Sequence, residues 1–208
     1  MEIDLNEVLR YMGNGRADVD DGILSTVKSI SSMMQNAASP QYVYRIFPIK
    51  VSEDTINING SLFKSKRLAS HLKDCNKAAI LAATLGTQAD IVIRQSMVLG
   101  TVNSSAAQAA GTAMIEQVAD LATKAIEEES GLKAIPRFSP GYADWELSAQ
   151  NDMLRLCDAQ KRIGITLTDS LMMIPTKSVT AIIGLNNTGC IAKKDCSQCD
   201  KKDCDYRL

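Results

Sequence analysis

The sequence predicts an α+β fold: a single domain with a twisted, largely antiparallel sheet flanked by helices. Three observations carry that expectation. Segments with helical apolar spacing and segments rich in β-branched residues follow one another in mixed order, not as a regular βαβ series. In "TININGSLF" two alternating runs flank Asn59-Gly60, the dipeptide that favours a two-residue hairpin turn and hence antiparallel pairing. The chain of 208 residues is 45% hydrophobic and 23% charged, enough to bury a real core in one domain, and it holds no internal repeat or low-complexity segment.

The elements follow in order. "ADVDDGILSTVKSISSMMQNA" sets Val19, Ile23, Val27, Ile30 and Met34 at three- and four-residue steps, with Asp18, Asp20 and Asp21 near the positive end of the helix so formed. "QYVYRIFPIKV" reads as a strand, "TININGSLF" as the hairpin, and "SKRLASHLKDCNKA" as a helix with Leu68, Leu72 and Cys75 on one face. "AAILAATLG" is a buried strand and "TQADIVIRQSMVL" a helix. The longest helix runs from about Ser104 to Glu129, with Ile115, Val118, Ala122 and Ala125 as its buried stripe. After the loop "PRFSPGYADW" comes a helix through "ELSAQNDMLRLCDAQKR"; "IGITLT" and "SVTAIIGL" then finish the sheet, joined by "DSLMMIPTK". The domain spans residues 1–185, and a cysteine-rich tail occupies 186–208.

Composition removes several classes of function. A net charge of −1 speaks against a general nucleic-acid binder. The N-terminus "MEIDLNEVLRYMGNG" lacks a basic-then-apolar leader, and no apolar run approaches the roughly 20 residues of a bilayer span, so the expectation is a soluble, cytoplasmic protein without a membrane partner. The one histidine, His71, lies on an otherwise apolar face and reads as a core or boundary residue; no nucleophile elbow accompanies it. No G-x-G-x-x-G, P-loop, Asp-x-His-x-x-Gly or C-x-x-x-C-x-x-C pattern occurs. Cys75 and Cys157 read as small buried hydrophobes.

The loop at residues 136–145 concentrates Arg137, Phe138, Tyr142 and Trp145, the only tryptophan, in a stretch stiffened by proline and glycine. Such a cluster suggests a binding surface. Arg137 offers a planar fork for a carboxylate, Gly141 allows close backbone approach, and Tyr142 supplies an aromatic face and a hydroxyl. The ligand implied has a carboxylate at one end and an aromatic or cationic part at the other. Spacing alone leaves a structural turn as the alternative.

"PRFSPGY" followed by "IGITLTDSLMMIPTKSVTAIIGL" resembles the S-adenosylmethionine-binding activation domain of cobalamin-dependent methionine synthase. The resemblance rests on Arg137-x-x-x-Gly141-Tyr142 and on Ile163, Gly164, Leu167, Thr168, Ser170, Met173, Pro175, Ser178 and Val179. "EVLRYMG", "YVYRIFPI", "AATLG" and "GTAMIEQVAD" further resemble the stand-alone form of that domain. The resemblance implies a module of methionine biosynthesis that supports reductive methylation: S-adenosylmethionine and an external electron return cob(II)alamin to methylcobalamin. Under it, Arg137 holds the ligand carboxylate, backbone at Ser139 and Gly141 contacts the ligand, and Tyr142 is the catalytic candidate beside the sulfonium. Glu116 falls where the family places a ligand-binding glutamate, although a solvated helix acid is the alternative. Asp4 is a fainter match, for which an N-cap role competes. Cobalamin comes from a partner, methionine synthase or another corrinoid protein, with an electron donor such as flavodoxin or ferredoxin. Glu146 stands where the stand-alone form commonly has proline.

Cys190, Cys196, Cys199 and Cys204, spaced C-x5-C-x2-C-x4-C, fit zinc or an iron–sulfur cluster, with a tail of uncommitted thiols as the alternative. Two other functions stay open: a scaffold that recognises a corrinoid protein without methyl transfer, and a redox activator of another corrinoid methyltransferase.

Overall fold

The structure, a computed structural model, describes residues 1–13 and 19–188. Helix α1 (Leu5–Tyr11) starts at Asp4, whose side chain accepts the Asn6 N–H at 2.9 Å, and α2 (Asp21–Ala37) starts at Asp20 in the same way. In α2 the residues at helical spacing, Val27, Ile30 and Met34, are buried, together with Ser31.

Strand β1 (Gln41–Val51) is long enough to serve two partners. Its first eight residues pair antiparallel with β4 (Lys77–Thr84), while Ile49–Val51 pair with β2 (Thr55–Ile58). The hairpin from β2 to β3 (Ser61–Lys64) turns at Asn59 (φ 49°) and Gly60 (φ 86°), the left-handed pair that a two-residue turn of this hand requires. Helix α3 (Lys66–Leu72) follows; Cys75 lies beyond its end but is buried, as expected.

Helix α4 (Thr87–Leu99) meets α5 (Thr101–Ser130) at Gly100, so the long helix starts three residues before the Ser104 that the pattern suggested. A short strand β5 (Lys133–Ala134) follows α5. The helix expected through residues 146–162 is instead broken. A 3-10 turn at Leu147–Ala149 leads into α6 (Gln150–Leu156), and Asp158 then adopts a left-handed φ of 55° before α7 (Ala159–Ile163). Aspartate tolerates that conformation, which a continuous helix cannot contain.

The second departure concerns "IGITLT". Its strand β6 (Thr166–Leu167) pairs only with β7 (Met173–Ile174), in a separate two-stranded ribbon. Hydroxyl chemistry sets this ribbon: Thr168 Oγ1 accepts the Met172 N–H at 3.1 Å and lies 2.9 Å from Ser170 Oγ, which tightens the turn. The last strand, β8 (Ser178–Asn186), completes a six-stranded sheet of order β3-β2-β1-β4-β8-β5, and β5, not "IGITLT", is its edge.

Every pairing in that sheet is antiparallel, and both faces of its centre are covered. Ala78, Ile80 and Ala82 of β4 and Ile182 of β8 point into a core shared with α3, α6 and Trp145. Their neighbours Ala79, Leu81, Ile183 and Leu185 point the other way, onto Ala119, Ala122 and Ile126 of α5. A strand buried on both faces reads as a continuous apolar run, which is why "AAILAAT" shows no alternation. Among the described residues, no helix is long and apolar enough to cross a membrane.

Candidate functional site

The loop that follows β5 is built inward from its two ends. Phe138 exchanges both backbone hydrogen bonds with Ile182, and Ile135 N–H donates to the Gly184 carbonyl, so the incoming chain is attached to β8. His71 Nε2 donates to the Pro136 carbonyl at 2.8 Å, the boundary role expected of it. At the far end, Asp144 accepts from Ser65 Oγ (2.6 Å), Lys66 N–H (2.7 Å) and Arg67 N–H (3.3 Å), tying the loop to the start of α3. The Ser65 hydroxyl and these backbone donors hold the Asp144 carboxyl below the usual range. Between the ends the turn is bonded to itself: Gly141 N–H to Trp145 O at 2.8 Å and Trp145 N–H to Tyr142 O at 3.0 Å. Gly141 has a φ of 90°, a conformation open to glycine at no steric cost.

The aromatic cluster divides by role. Trp145 is 2% exposed and stands edge-on to Phe63, with ring centroids 5.6 Å apart. It also lies 6.0 Å from Phe138. The tryptophan that suggested a binding surface is therefore mainly a core anchor, and its loop needs it structurally. Tyr142, by contrast, is 69% exposed and leans from the surface toward Phe138.

Arg137 points to the other side, onto α5. Glu116 and Asp120 are four residues apart and share a helix face, with Thr123 one turn on. The Arg137 guanidinium donates through Nη2 to Glu116 Oε2 at 2.6 Å and through Nη1 to Asp120 Oδ1 at 2.6 Å. Nη1 also reaches Thr123 Oγ1 at 3.4 Å. The Arg137 side chain is largely buried while both acids stay close to half exposed. Burial opposes its charge, but Asp120 and Glu116 outweigh that and hold Arg137 more firmly protonated than usual.

These side chains line a cleft of about 480 Å³ together with Ser139, Tyr142 and Val179. That is within the roughly 300–1,000 Å³ typical of small-molecule sites. Sequence reasoning named Arg137, Ser139, Tyr142 and Glu116, and the structure brings these four together. Gly141 shapes the turn behind them. Asp4 caps α1 and is not among the lining residues. Asp120 and Thr123 were missed; their signal was the helical spacing from Glu116, one and two turns on. Cys190, Cys196, Cys199 and Cys204 lie outside the described residues, and among the described residues no group of three or more metal-ligating side chains forms.

A larger groove of about 740 Å³ lies across the loop, between Leu62–Lys66 and residues 144–152. Its central acids already serve the fold: Asp144 caps α3, and Asp152 accepts from Ser61 and Arg155. Of the two, the smaller cleft is the better candidate because it joins a buried cation, two half-exposed acids and an exposed aromatic. A lone carboxylate entering it would meet Glu116 and Asp120 beside Arg137. An amino acid head group brings its own ammonium for those acids, so the arrangement suits a zwitterion.

The fold and this cleft define an α+β domain with a small-molecule cleft between its longest helix and the loop after β5. Residues 121–193 match the family described as vitamin B12 dependent methionine synthase, activation domain, a stretch that includes Arg137 through Tyr142 and Ile163 through Val179. Over 88% of this chain and 77% of the other, the fold is similar to a crystal structure described as the MetH reactivation domain bound to AdoHcy, with a TM-score of 0.61 and 15% identity. No curated protein sequence matches the chain. The family match covers 73 of the 208 residues, and the structural likeness extends the shared fold over most of the chain.

Proposed function

We propose that the cleft binds S-adenosylmethionine and presents it to the corrinoid of a partner protein for reductive remethylation. The observation that carries this reading is Arg137 clamped by Glu116 and Asp120 beside exposed Tyr142, a receptor for an amino acid head group next to an aromatic face. A solved structure of similar fold, described as bound to AdoHcy, supports that ligand class. Arg137 takes the carboxylate, Glu116 and Asp120 the ammonium, and the Ser139–Gly141 backbone the rest of the ligand, with Tyr142 at the sulfonium. Bound there, S-adenosylmethionine supplies a methyl group to the reduced corrinoid, the electron coming from an external donor such as flavodoxin or ferredoxin. The chain's own residues orient the ligand and leave its sulfonium side open to the partner.

Calorimetric titration with S-adenosylmethionine, using ATP as control, tests the reading. Micromolar binding selective over ATP supports it. Absence of binding, both alone and with a cobalamin-loaded methionine synthase, would overturn it in favour of the scaffold reading.

A further inference from the structure

We infer that the outer side of β3 is a docking site for an extended segment of another protein, which pairs antiparallel with residues 62–64 and sets an acidic side chain opposite Lys64 and an apolar one opposite Leu62. The site lies in the larger groove, across the loop from the cleft, and the inference stands without the ligand proposed there.

β3 is the first strand in the order of the sheet, so one of its sides has no neighbouring strand. The pairing tells which residues face that side. Ser65 N–H donates to the Asp54 carbonyl at 2.8 Å, and the pairs Ile56↔Phe63 and Ile58↔Ser61 fall at two-residue steps from that bond. Hydrogen-bonded pairs alternate along an antiparallel ladder, so Ser61 and Phe63 turn their backbone groups to β2 while Leu62 and Lys64 turn theirs outward. Among the described residues, no group bonds the outward N–H and C=O of Leu62 or Lys64. The groove follows this side of the strand. Leu62, Phe63 and Lys64 all line it, and successive side chains of a strand point to opposite faces, so a groove touched by all three runs along the backbone between the faces. Trp145 lines it as well, and its buried indole N–H has no acceptor among the described residues. Buried donors are normally satisfied, and a chain lying in the groove supplies carbonyls for this one.

The chemistry of the occupant follows from the two outward residues. Leu62 is 67% exposed, an apolar surface with nothing over it. Lys64 has no ion pair among the described residues, and neither has Lys66, which lines the same end of the groove. The acids of the groove are engaged elsewhere: Asp144 by the start of α3, Asp152 by Ser61 and Arg155, Asp54 by Thr55 Oγ1 at 2.8 Å and Glu146 by Ser148 Oγ at 3.2 Å. Directly opposite residues of neighbouring strands stand about 4.5–5.5 Å apart, so Lys64 has the first influence on the side chain facing it. Antiparallel pairing places the acid before the apolar residue, with one residue between them. A second copy of β3 does not fit, since neither of its outward residues, Leu62 and Lys64, is an acid.

The test uses the full chain and a capped synthetic peptide, Ser-Thr-Glu-Thr-Val-Thr-Ser. The one tryptophan gives a single indole N–H resonance to follow by NMR. Saturable binding at sub-millimolar peptide, with the Trp145 resonance moving downfield, is the expected result. Methylating the glutamate and valine nitrogens, which face β3, should weaken binding about tenfold or more, whereas methylating the three threonine nitrogens should leave it within about twofold. Lys64→Glu should weaken this peptide about fivefold and should bind the version carrying lysine in place of glutamate better than the wild type does. Absence of binding, binding that leaves the Trp145 resonance unmoved, equal losses from the two methylation patterns, or no reversal of charge preference in Lys64→Glu overturns the inference. So does a chain that sediments as a dimer and binds no peptide, which assigns this side of β3 to a second copy.

Discussion

Arg137 Nη2 lies 2.6 Å from Glu116 Oε2, joining an irregular loop to the longest helix across twenty-one residues of chain. The pair fixes the loop's cation against α5 and leaves the acid close to half exposed to whatever enters the cleft. If the cleft is an amino acid receptor, Arg137→Ala should weaken S-adenosylmethionine binding by about 1.5–3 kcal/mol, the worth of a charged hydrogen-bond partner. Titration of the variant measures this directly, and an affinity within twofold of wild type would remove Arg137 from the site.

Tyr142 makes a different prediction because it is exposed and its neighbour Phe138 is a ring rather than a hydrogen-bond partner. Tyr142→Phe keeps the aromatic face and deletes the hydroxyl. The rate of methyl transfer to a corrinoid partner should fall more than the affinity for S-adenosylmethionine. A proportional loss in both would place the hydroxyl on the ligand's ground state and not at the reacting sulfonium.

Trp145→Ala should destabilise the fold by about 3–5 kcal/mol, the range for truncating a large buried aromatic. Tyr142→Ala, three residues earlier in the same loop but at the surface, should change stability by about 0.5 kcal/mol or less. Thermal or denaturant unfolding of both variants decides the matter. Similar losses would mean that the loop's two rings share one structural role.

The tail carries a prediction from sequence alone. Four cysteines within fifteen residues should bind about one zinc ion or iron–sulfur cluster per chain, lost in the double variant Cys196→Ser, Cys199→Ser. Metal analysis and absorption spectra of anaerobically purified protein check this. A metal-free chain with reduced thiols would sink it.

The sequence exposed the elements whose periodicity is undisturbed: β1 matches its quoted run from Gln41 to Val51, and the hairpin turns at Asn59-Gly60. It concealed what depends on single backbone angles or on side-chain competition. Asp158 breaks a helix by one left-handed residue, and Thr168 with Ser170 draws β6 out of the main sheet. In the cleft, Arg137 and Tyr142 stood out because a charge and a ring are unusual in a loop. Asp120 did not, since an acid on a long helix resembles any solvated one until its partner is seen in space. Trp145 misled for the opposite reason: its loop location hid a core role that only the Phe63 contact reveals.

The stitching of Phe138 to Ile182 and of Asp144 to the start of α3 leaves the intervening turn little freedom to swing. A wall fastened at both ends behaves as a jig, not as a jaw: it presents a bound molecule without enclosing it. Under the proposed function, the missing half of the enclosure then comes from the corrinoid protein, and water is expelled only while the two are docked. Turnover would accordingly depend on how long that encounter lasts, and the chain by itself would guard its ligand against idle hydrolysis by withholding chemistry, not by shutting a gate.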